Sequence, residues 1–513
     1  MCEIASILRY MYISSFHNEP FHPPQEPLYP LPLCMESLEE IFSGCADFEV
    51  RRIDLGLENR ICVHVCWLDG TVLGTELSAS VIRPLTQTIR SGGCRSEADA
   101  LRRAMLGGVY SCAVKKCTDC DSTVYALTHG HCAVVFDRAA TALCFEVRST
   151  HMRAVGEPTL EKTLKGAKDA FTENLRVNTF LLRRRLSSPK LKIVESSIGR
   201  KSETRVALLF LDGVASPRTV EELGRRLDRL DVDALLALGI LEEKLSDHPA
   251  CPFPQFLHTE RADRLAMYLS DGRVGLLVDG IPVALVLPVS FSEFMKVTGD
   301  GSMHYLVSSA ITLLRYLALI LSATLPAFYV AVAMYHQELI PTKLLLSIIE
   351  AKQNVPFSTA IEVLGMIIAF GLLQEAGLRL PNPIGDTVSI IGALIVGQSA
   401  VEARVISPIA IIVVALSGIA CYALPSQDMG YAVRLLRFVL VLAAIVAGLY
   451  GVGLFMCFVI FSLSAMDSFG VNYTAPLSDG LPGGLLRLLL RGPKSENKYR
   501  DPSLDTPDSR RQK

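Results

Sequence analysis

Residues 61–70, ICVHVCWLDG, and residues 204–213, TRVALLFLDG, carry one pattern twice: a strand-length apolar run that ends in Leu-Asp-Gly. Runs of this length, rich in β-branched and aromatic residues, favour buried strands, and Asp-Gly supplies the turn that ends them. Working outward, DFEVRRIDLG (47–56) lies over KLKIVESSIG (190–199) at the same shift of 143 residues. HCAVVFDRAATALCFEV (131–147) lies over RVGLLVDGIPVALVLPV (273–289) at a shift of 142. The order of elements is kept, so the segment reads as an internal repeat. Each copy is a strand, a buried strand closing on Asp69-Gly70 or Asp212-Gly213, a helix, and later a hairpin that turns at Asp137 or at Asp279-Gly280. Strands alternating with helices and closed by a hairpin predict a small α/β sandwich in each copy, for which a thioredoxin-like topology is one arrangement that fits.

The remaining composition places these copies in a larger chain. Its 513 residues are 50% hydrophobic, with 50 Lys and Arg against 52 Asp and Glu, and the mean hydropathy is +0.35. High hydropathy at ordinary charge content predicts a soluble part joined to a membrane part, and the two separate near residue 310. Near-neutral charge with scattered Lys and Arg gives no electrostatic case for nucleic acid. The expected organisation is a proline-rich leader (1–34), a first α/β subdomain with a linking helix (35–186) and a second α/β subdomain (187–305). A transmembrane helical domain (306–475) and a basic polar tail (476–513) follow. PFHPPQEPLYPLP (20–32) has six prolines, which continue neither a helix nor a central strand, so the leader is extended. The first residues, MCEIASILRYMYISSF, lack a basic n-region and a clean apolar h-region. The expectation is therefore no secretory signal and a cytosolic soluble half.

Eleven of the fourteen cysteines lie between Cys2 and Cys144, and in the cytosol they are expected as free thiols. A thiol–disulfide enzyme needs Cys-x-x-Cys at a helix N-terminus after a strand. The junctions singled out here hold Asp-Gly, and Cys62 and Cys66 fall within a strand, so redox catalysis is not expected. Cys112, Cys117, Cys120, His129, His131 and Cys132 contain one Cys-x-x-Cys, where structural zinc usually shows two regular ligand pairs. No metal and no cofactor are expected. Asp69 and Asp212 read as residues that make the turn and cap the next helix. In FTENLRVNTFLLRRRL (171–186), Leu175, Leu182 and Leu186 share one helical face, and Arg183 to Arg185 read as its solvated end. No triad, phosphate-cradling glycine loop or paired catalytic carboxylates stand out, so no enzyme is expected.

In the membrane half the first clear span is TLLRYLALILSATLPAFYVAVAM (312–334). An amphipathic piece (344–351), a short apolar run (360–374), another at 387–401, a full span (405–424) and a long run (438–464) bending at GLYGVG (448–453) follow. Pro381, Pro383 and Gly385 break one segment, which is tolerated at membrane depth only where the backbone is buried in protein or lines a wet cavity. Ser389, Ala393 and Gly397 recur every four residues as a small face for helix packing, and Gln398 with Glu402 adds a polar stripe. Polar groups at this depth face a pore, a cavity or a partner, so Glu362, Glu375, Ser389, Gln398 and Glu402 are pore candidates. A solvated position for Glu402 beside Arg404 is the alternative. The basic tail from 485 to 513 keeps the C-terminus on the side of the soluble half. Four spans with 387–401 re-entrant satisfy that, and they put Arg434 and Arg437 on the opposite side.

At this point the sequence resembles the A subunits of spore germinant receptors, the GerA family. The matching segments are GAKDAFTENLRVNTFLLRRRL, VALLFLDGV, HTERADRLAMYLSDGRVGLLVDGIPVALVLPVSF, YHQELIPTKLLLSI, VPFSTAIEVL, QEAGLRLPNPIGDTVSIIGALIVGQSAVEARVISP and SFGVNYTAPLS. The resemblance implies a non-enzymatic, oligomerising membrane subunit that works with a transporter-like B subunit and a lipoprotein C subunit in the spore inner membrane. It further implies paired thioredoxin-like subdomains, and passage of a nutrient signal to ion release. Gly166 to Phe171 and Gly371 depart from the residues usual in the family. Two other functions fit the same organisation: a paralogue similar to the stage V AF sporulation protein, and a stand-alone channel or transporter, against which stands the lack of an inverted repeat in the membrane half.

Overall fold

The computed structural model describes residues 28–54, 61–92, 96–105, 109, 114–147, 156, 158, 161, 163, 165–353, 355–379, 398–478, 488–492 and 498–511. The chain forms two compact units, residues 1–153 with 179–193, and residues 154–178 with 194–513.

The first sheet has strands β1 (Phe48–Asp54), β2 (Cys62–Leu68), β3 (Val114–Cys117), β4 (His131–Phe136) and β5 (Thr141–Glu146), in the order β1-β2-β4-β5-β3. The second has β6 (Leu191–Ile198), β7 (Thr204–Leu211), β8 (Leu257–Thr259), β9 (Val274–Val278) and β10 (Ala284–Leu287), in the order β6-β7-β9-β10-β8. The two orders are equivalent strand for strand, including β3 and β8, which the sequence repeat did not reveal. Central strands are covered on both faces, which is why they read as continuous apolar runs. Val63, Val65, Val134 and Phe145 fill one side of the first sheet, and Cys66, Leu68, Val135 and Cys144 fill the other.

The Asp-Gly steps turn as expected. Gly70 and Gly213 sit at φ 83° and 75°, in the left-handed region where a side chain is strained. They do not cap the next helix: the N-cap positions are Leu73 and Ser216. The hairpin aspartates do the capping instead. Asp137 accepts from the Met35 N–H at 2.8 Å, at the start of α1 (Met35–Ile41). Asp279 accepts from the Leu175 N–H at 3.0 Å, at the start of α2 (Leu175–Arg185). Each copy therefore closes its hairpin onto the helix that precedes it, satisfying an orphan N–H of the first turn.

Arg183 corrects the reading of the α2 end. Arg184 and Arg185 are exposed, but Arg183 is 1% exposed and grips Asp47 through two 2.8 Å bonds, Nε to Oδ2 and Nη2 to Oδ1. The described cysteines are thiols. One Cys-x-x-Cys does stand at a strand-to-helix step, because Cys117 ends β3 and Cys120 opens α3 (Cys120–Thr128). Both are 1% exposed, and Cys117 lies 3.6 Å from Cys144. Hydrogen bonding from Cys144 pulls the Cys117 thiol down to about 6.

The second unit also carries the apolar helices α4 (Tyr305–Tyr335), α5 (Thr342–Lys352), α6 (Thr359–Arg379), α7 (Pro408–Tyr422) and α8 (Gln427–Ser464). Three of them are long and apolar enough to cross a membrane: Tyr305–Tyr335, Thr359–Gly377 and Gln427–Ser464. The last is not one rod. A straight 38-residue helix is about 57 Å long, yet its two ends reach the same subdomain. Asp428 lies 2.8 Å from His258, and Asp467, just past the helix, lies 3.1 Å from His248. The backbone leaves helical geometry at Ala447 (φ −136°, ψ 17°) and Gly448 (φ 60°, ψ −142°), and there α8 turns back. The outgoing arm, residues 427–446, is about 30 Å long, matching a bilayer core. The run read as one bent segment over 438–464 is therefore a helical hairpin. Arg434 and Arg437, in its outgoing arm, lie toward the subdomain side, which reverses the side expected from the four-span arrangement.

Candidate functional site

Where the second sheet meets the apolar helices, charged side chains meet in three places. The first lies under α4. Arg315 of α4 forks onto Asp300 at 2.6 and 2.9 Å and also donates to Met295 O at 3.1 Å. Behind it, Glu293 is 6% exposed, 2.7 Å from Lys296 Nζ and 3.1 Å from Arg273. Burial alone would push the Glu293 carboxyl up, but Lys296 and Arg273 hold it down at about 2. Arg264 is 8% exposed, pairs with Glu161 and donates to Lys296 O at 3.2 Å. Such a network suits buried charge, since each ion is met by an opposite charge or a carbonyl.

The second place is the start of α8. His258 of β8 stands between two carboxylates, Glu242 at 2.6 Å from Nε2 and Asp428 at 2.8 Å from Nδ1. Burial would favour the neutral imidazole, yet the two acids hold its charged form up to about 10. The third place follows α8, in the short hairpin β11 (Asp467–Ser468) and β12 (Val471–Asn472). Asp467 meets His248, the Phe469 N–H donates to Asp247 at 2.9 Å, and the Arg226 guanidinium lies 4.4 Å from the Phe469 ring centroid. Tyr473, 0% exposed, donates to Pro254 O at 2.8 Å. Both arms of the α8 hairpin and the root of α4 are thus fastened to one α/β subdomain by ion pairs, hydrogen bonds and a cation–π contact.

The residues selected from sequence lie elsewhere. Glu362, near the start of α6, is 2% exposed; it accepts from the Ser407 N–H at 2.9 Å and stands 3.3 Å from Lys352 Nζ. It is held between α5, α6 and the start of α7. Glu375 is on an exposed side of α6, and Gln398 and Glu402 are exposed in a helical stretch over 398–402. Ser389, Ala393 and Gly397, with Pro381, Pro383 and Gly385, lie outside the described residues, as does the leader up to residue 27. Asp69, Gly70, Asp212, Gly213, Asp279 and Gly280 are structural residues of the two sheets. Among the described residues, no group of three His, Cys, Asp or Glu side chains has an arrangement that could hold a metal ion. Sequence reading missed His258, Asp428, Glu293 and Arg315. Their only signal is that each is a charged or titratable residue beside an apolar block.

Comparison with known proteins agrees with the resemblance. The family model for the Bacillus/Clostridium GerA spore germination protein matches residues 36–503. Spore germination protein KA of Bacillus subtilis (strain 168) is 34% identical over 480 residues, 93% of this chain and 87% of that protein. The uncharacterized membrane protein YfkQ of the same organism is 34% identical over 444 residues, 86% of this chain and 85% of that protein. Spore germination protein GerLA of Bacillus cereus is 32% identical over 466 residues, 89% of this chain and 95% of that protein. The crystal structure of the N-terminal domain of the A subunit of the Bacillus megaterium spore germinant receptor GerK3 aligns with 51% of this chain and 96% of its own, at a TM-score of 0.40 and 24% identity. On the family match and the near full-length relatives, the chain belongs to the GerA family of spore germination proteins.

Proposed function

We propose that this protein is the A subunit of a spore germinant receptor, a non-enzymatic subunit that couples nutrient sensing elsewhere in the complex to ion release. The observation that carries the mechanical part is the fastening of both ends of the α8 hairpin and the root of α4 to one subdomain. A displacement of that subdomain, imposed by a partner, pulls on three points of the helical bundle together. That is what a coupling element between two states requires. Partners of the implied kinds are a transporter-like B subunit, a lipoprotein C subunit and further copies of this chain.

The same reading puts the protein in the spore inner membrane with the soluble half and the tail on the cytoplasmic side. That the tail and the soluble half share one side is supported by the tail itself, since Arg500 donates to Ser270 O at 2.9 Å and Arg511 meets Asp271 at 3.0 Å. The proposal also carries the thioredoxin-like description of the two copies. What supports it is the repeated strand, helix and hairpin order alone; the ladders with a described register are all antiparallel, whereas a β-α-β crossover pairs its strands in parallel.

Potassium release from spores after nutrient addition, with and without this chain, tests the reading. Loss of the response to one nutrient class is the expected result. An unchanged response to every nutrient, in a strain without other receptors of the family, rules the receptor role out and leaves the sporulation paralogue.

A further inference from the structure

Among the described residues, two arginines of the α8 hairpin stand among apolar helices without a carboxylate partner. Arg437 is 6% exposed, and its Nη1 donates to Ser417 Oγ on α7 at 3.2 Å. The Ser417 hydroxyl hydrogen is itself given to Val414 O at 2.8 Å. The Arg437 Nε is buried with no hydrogen-bond partner among the described residues, and so is the Arg434 Nε one turn earlier. The Arg434 guanidinium lies 5.3 Å from the Tyr431 ring centroid. Asp428, the one acidic residue of α8, is taken by His258. A hydroxyl and a ring face solvate a guanidinium but do not balance its charge, and a cation left so in a low-dielectric bundle is strongly disfavoured.

Position indicates the missing charge. Arg434 and Arg437 lie about 9 and 14 Å along the helix from Asp428, whose contact with His258 marks the subdomain surface. The headgroup layer of a bilayer is about 5–8 Å deep on each side, and arginine side chains reach toward it. Tyr431 and Tyr422, 49% and 66% exposed on the two helices that meet at this hairpin, are the kind of aromatic residue that sits at that layer. We propose that Arg434 and Arg437, with Tyr431, bind the phosphate of an anionic lipid in the leaflet next to the subdomain. Ser417 fixes one guanidinium and Tyr431 orients the other, and the guanidinium fork suits phosphate oxygens. The site goes beyond the receptor reading and is tested without any nutrient.

The test uses the full chain in nanodiscs of phosphatidylcholine, of phosphatidylcholine with phosphatidylglycerol, and of phosphatidylcholine with inorganic phosphate in the buffer. Native mass spectrometry counts retained lipid, and a thermal melt reads stabilisation by ligand. Phosphatidylglycerol is expected to be retained and to raise the melting midpoint, whereas inorganic phosphate does neither. Arg434→Gln and Arg437→Gln each lower phosphatidylglycerol retention about fivefold. Arg434→Lys keeps the charge without the fork, and it retains more than Arg434→Gln, so a folding defect in the buried Arg437 variant does not decide the question. Equal retention of the two lipids, or equal phosphatidylglycerol retention by wild type and both Gln variants, overturns the proposal and makes an acidic protein side chain the counterion. Stabilisation by inorganic phosphate in phosphatidylcholine discs overturns the lipid as the source.

Discussion

Replacing Asp47 by Asn removes the carboxylate that the Arg183 fork holds while keeping the side chain's size. The pair is among the most deeply buried in the molecule, with both side chains 1% exposed and both bonds at 2.8 Å. What stays behind is a guanidinium whose Nη1 still donates to Ser188 O at 2.9 Å, facing an amide with no charge. Breaking a buried pair in this way costs about 3–5 kcal/mol, a large share of the roughly 5–15 kcal/mol that holds a domain folded. The assay uses a feature of the chain: Trp67 is the one tryptophan, it lies on β2 opposite Glu49 of β1, and it is partly buried in the same unit as the pair. Urea unfolding of the full chain in detergent, followed by tryptophan fluorescence, therefore reports this unit alone. With a urea dependence of about 2 kcal/mol per molar, the midpoint falls by about 2 M. Asp47→Leu combined with Arg183→Met, which removes both charges, recovers most of that loss. A shift below about 0.5 M for Asp47→Asn, or a double variant no better than the single one, refutes the claim that the unpaired buried charge sets the cost.

Other expectations follow from the same geometry. For His258, held charged up to about 10, the contribution to stability is complete below the unfolded value of about 6.5 and is lost as pH rises toward 10. His258→Gln is then expected to lower the melting midpoint at neutral pH by the equivalent of about 1–2 kcal/mol, a discounted figure because Asp428 is 44% exposed. The gap to wild type should close by pH 10, and a gap constant across that range contradicts the assigned charge. Gly448→Val puts a β-branched residue at φ 60°, with the new Cβ 3.1 Å from Tyr335 Cβ, and should cost about 2–3 kcal/mol, read as lost monodisperse protein in detergent. Glu362→Gln leaves Lys352 without its carboxylate and is expected to lower stability by about 1–3 kcal/mol, checked by a thermal melt. Glu402→Gln in assembled receptors should slow nutrient-triggered ion release severalfold; unchanged release removes Glu402 from the pore.

The sequence by itself determined what repeats locally. Strand-length apolar runs, Asp-Gly turns needing a positive φ at Gly70 and Gly213, and apolar blocks of membrane length are written in neighbouring residues. From these come two copies of one succession of strand, strand, helix and hairpin, the membrane half, and the family through its motif order. What depends on residues far apart in the chain was decided by tertiary structure. Arg183 looked like the solvated end of a basic helix because its partner Asp47 is 136 residues away. The aspartates that cap α1 and α2 sit in hairpins about a hundred residues later, so no local capping pattern marks them. GLYGVG was legible as a bend, but not as the reversal at Gly448, because several glycines there offer the same freedom and only packing against Tyr335 selects one. The reversal in turn fixes the side on which Arg434 and Arg437 lie, which counting four spans along the chain had assigned the other way. An ion pair or a cap needs only that two groups meet in space, so its energy leaves no period in the sequence, whereas a strand or a membrane helix must repeat its apolar residues to bury a face.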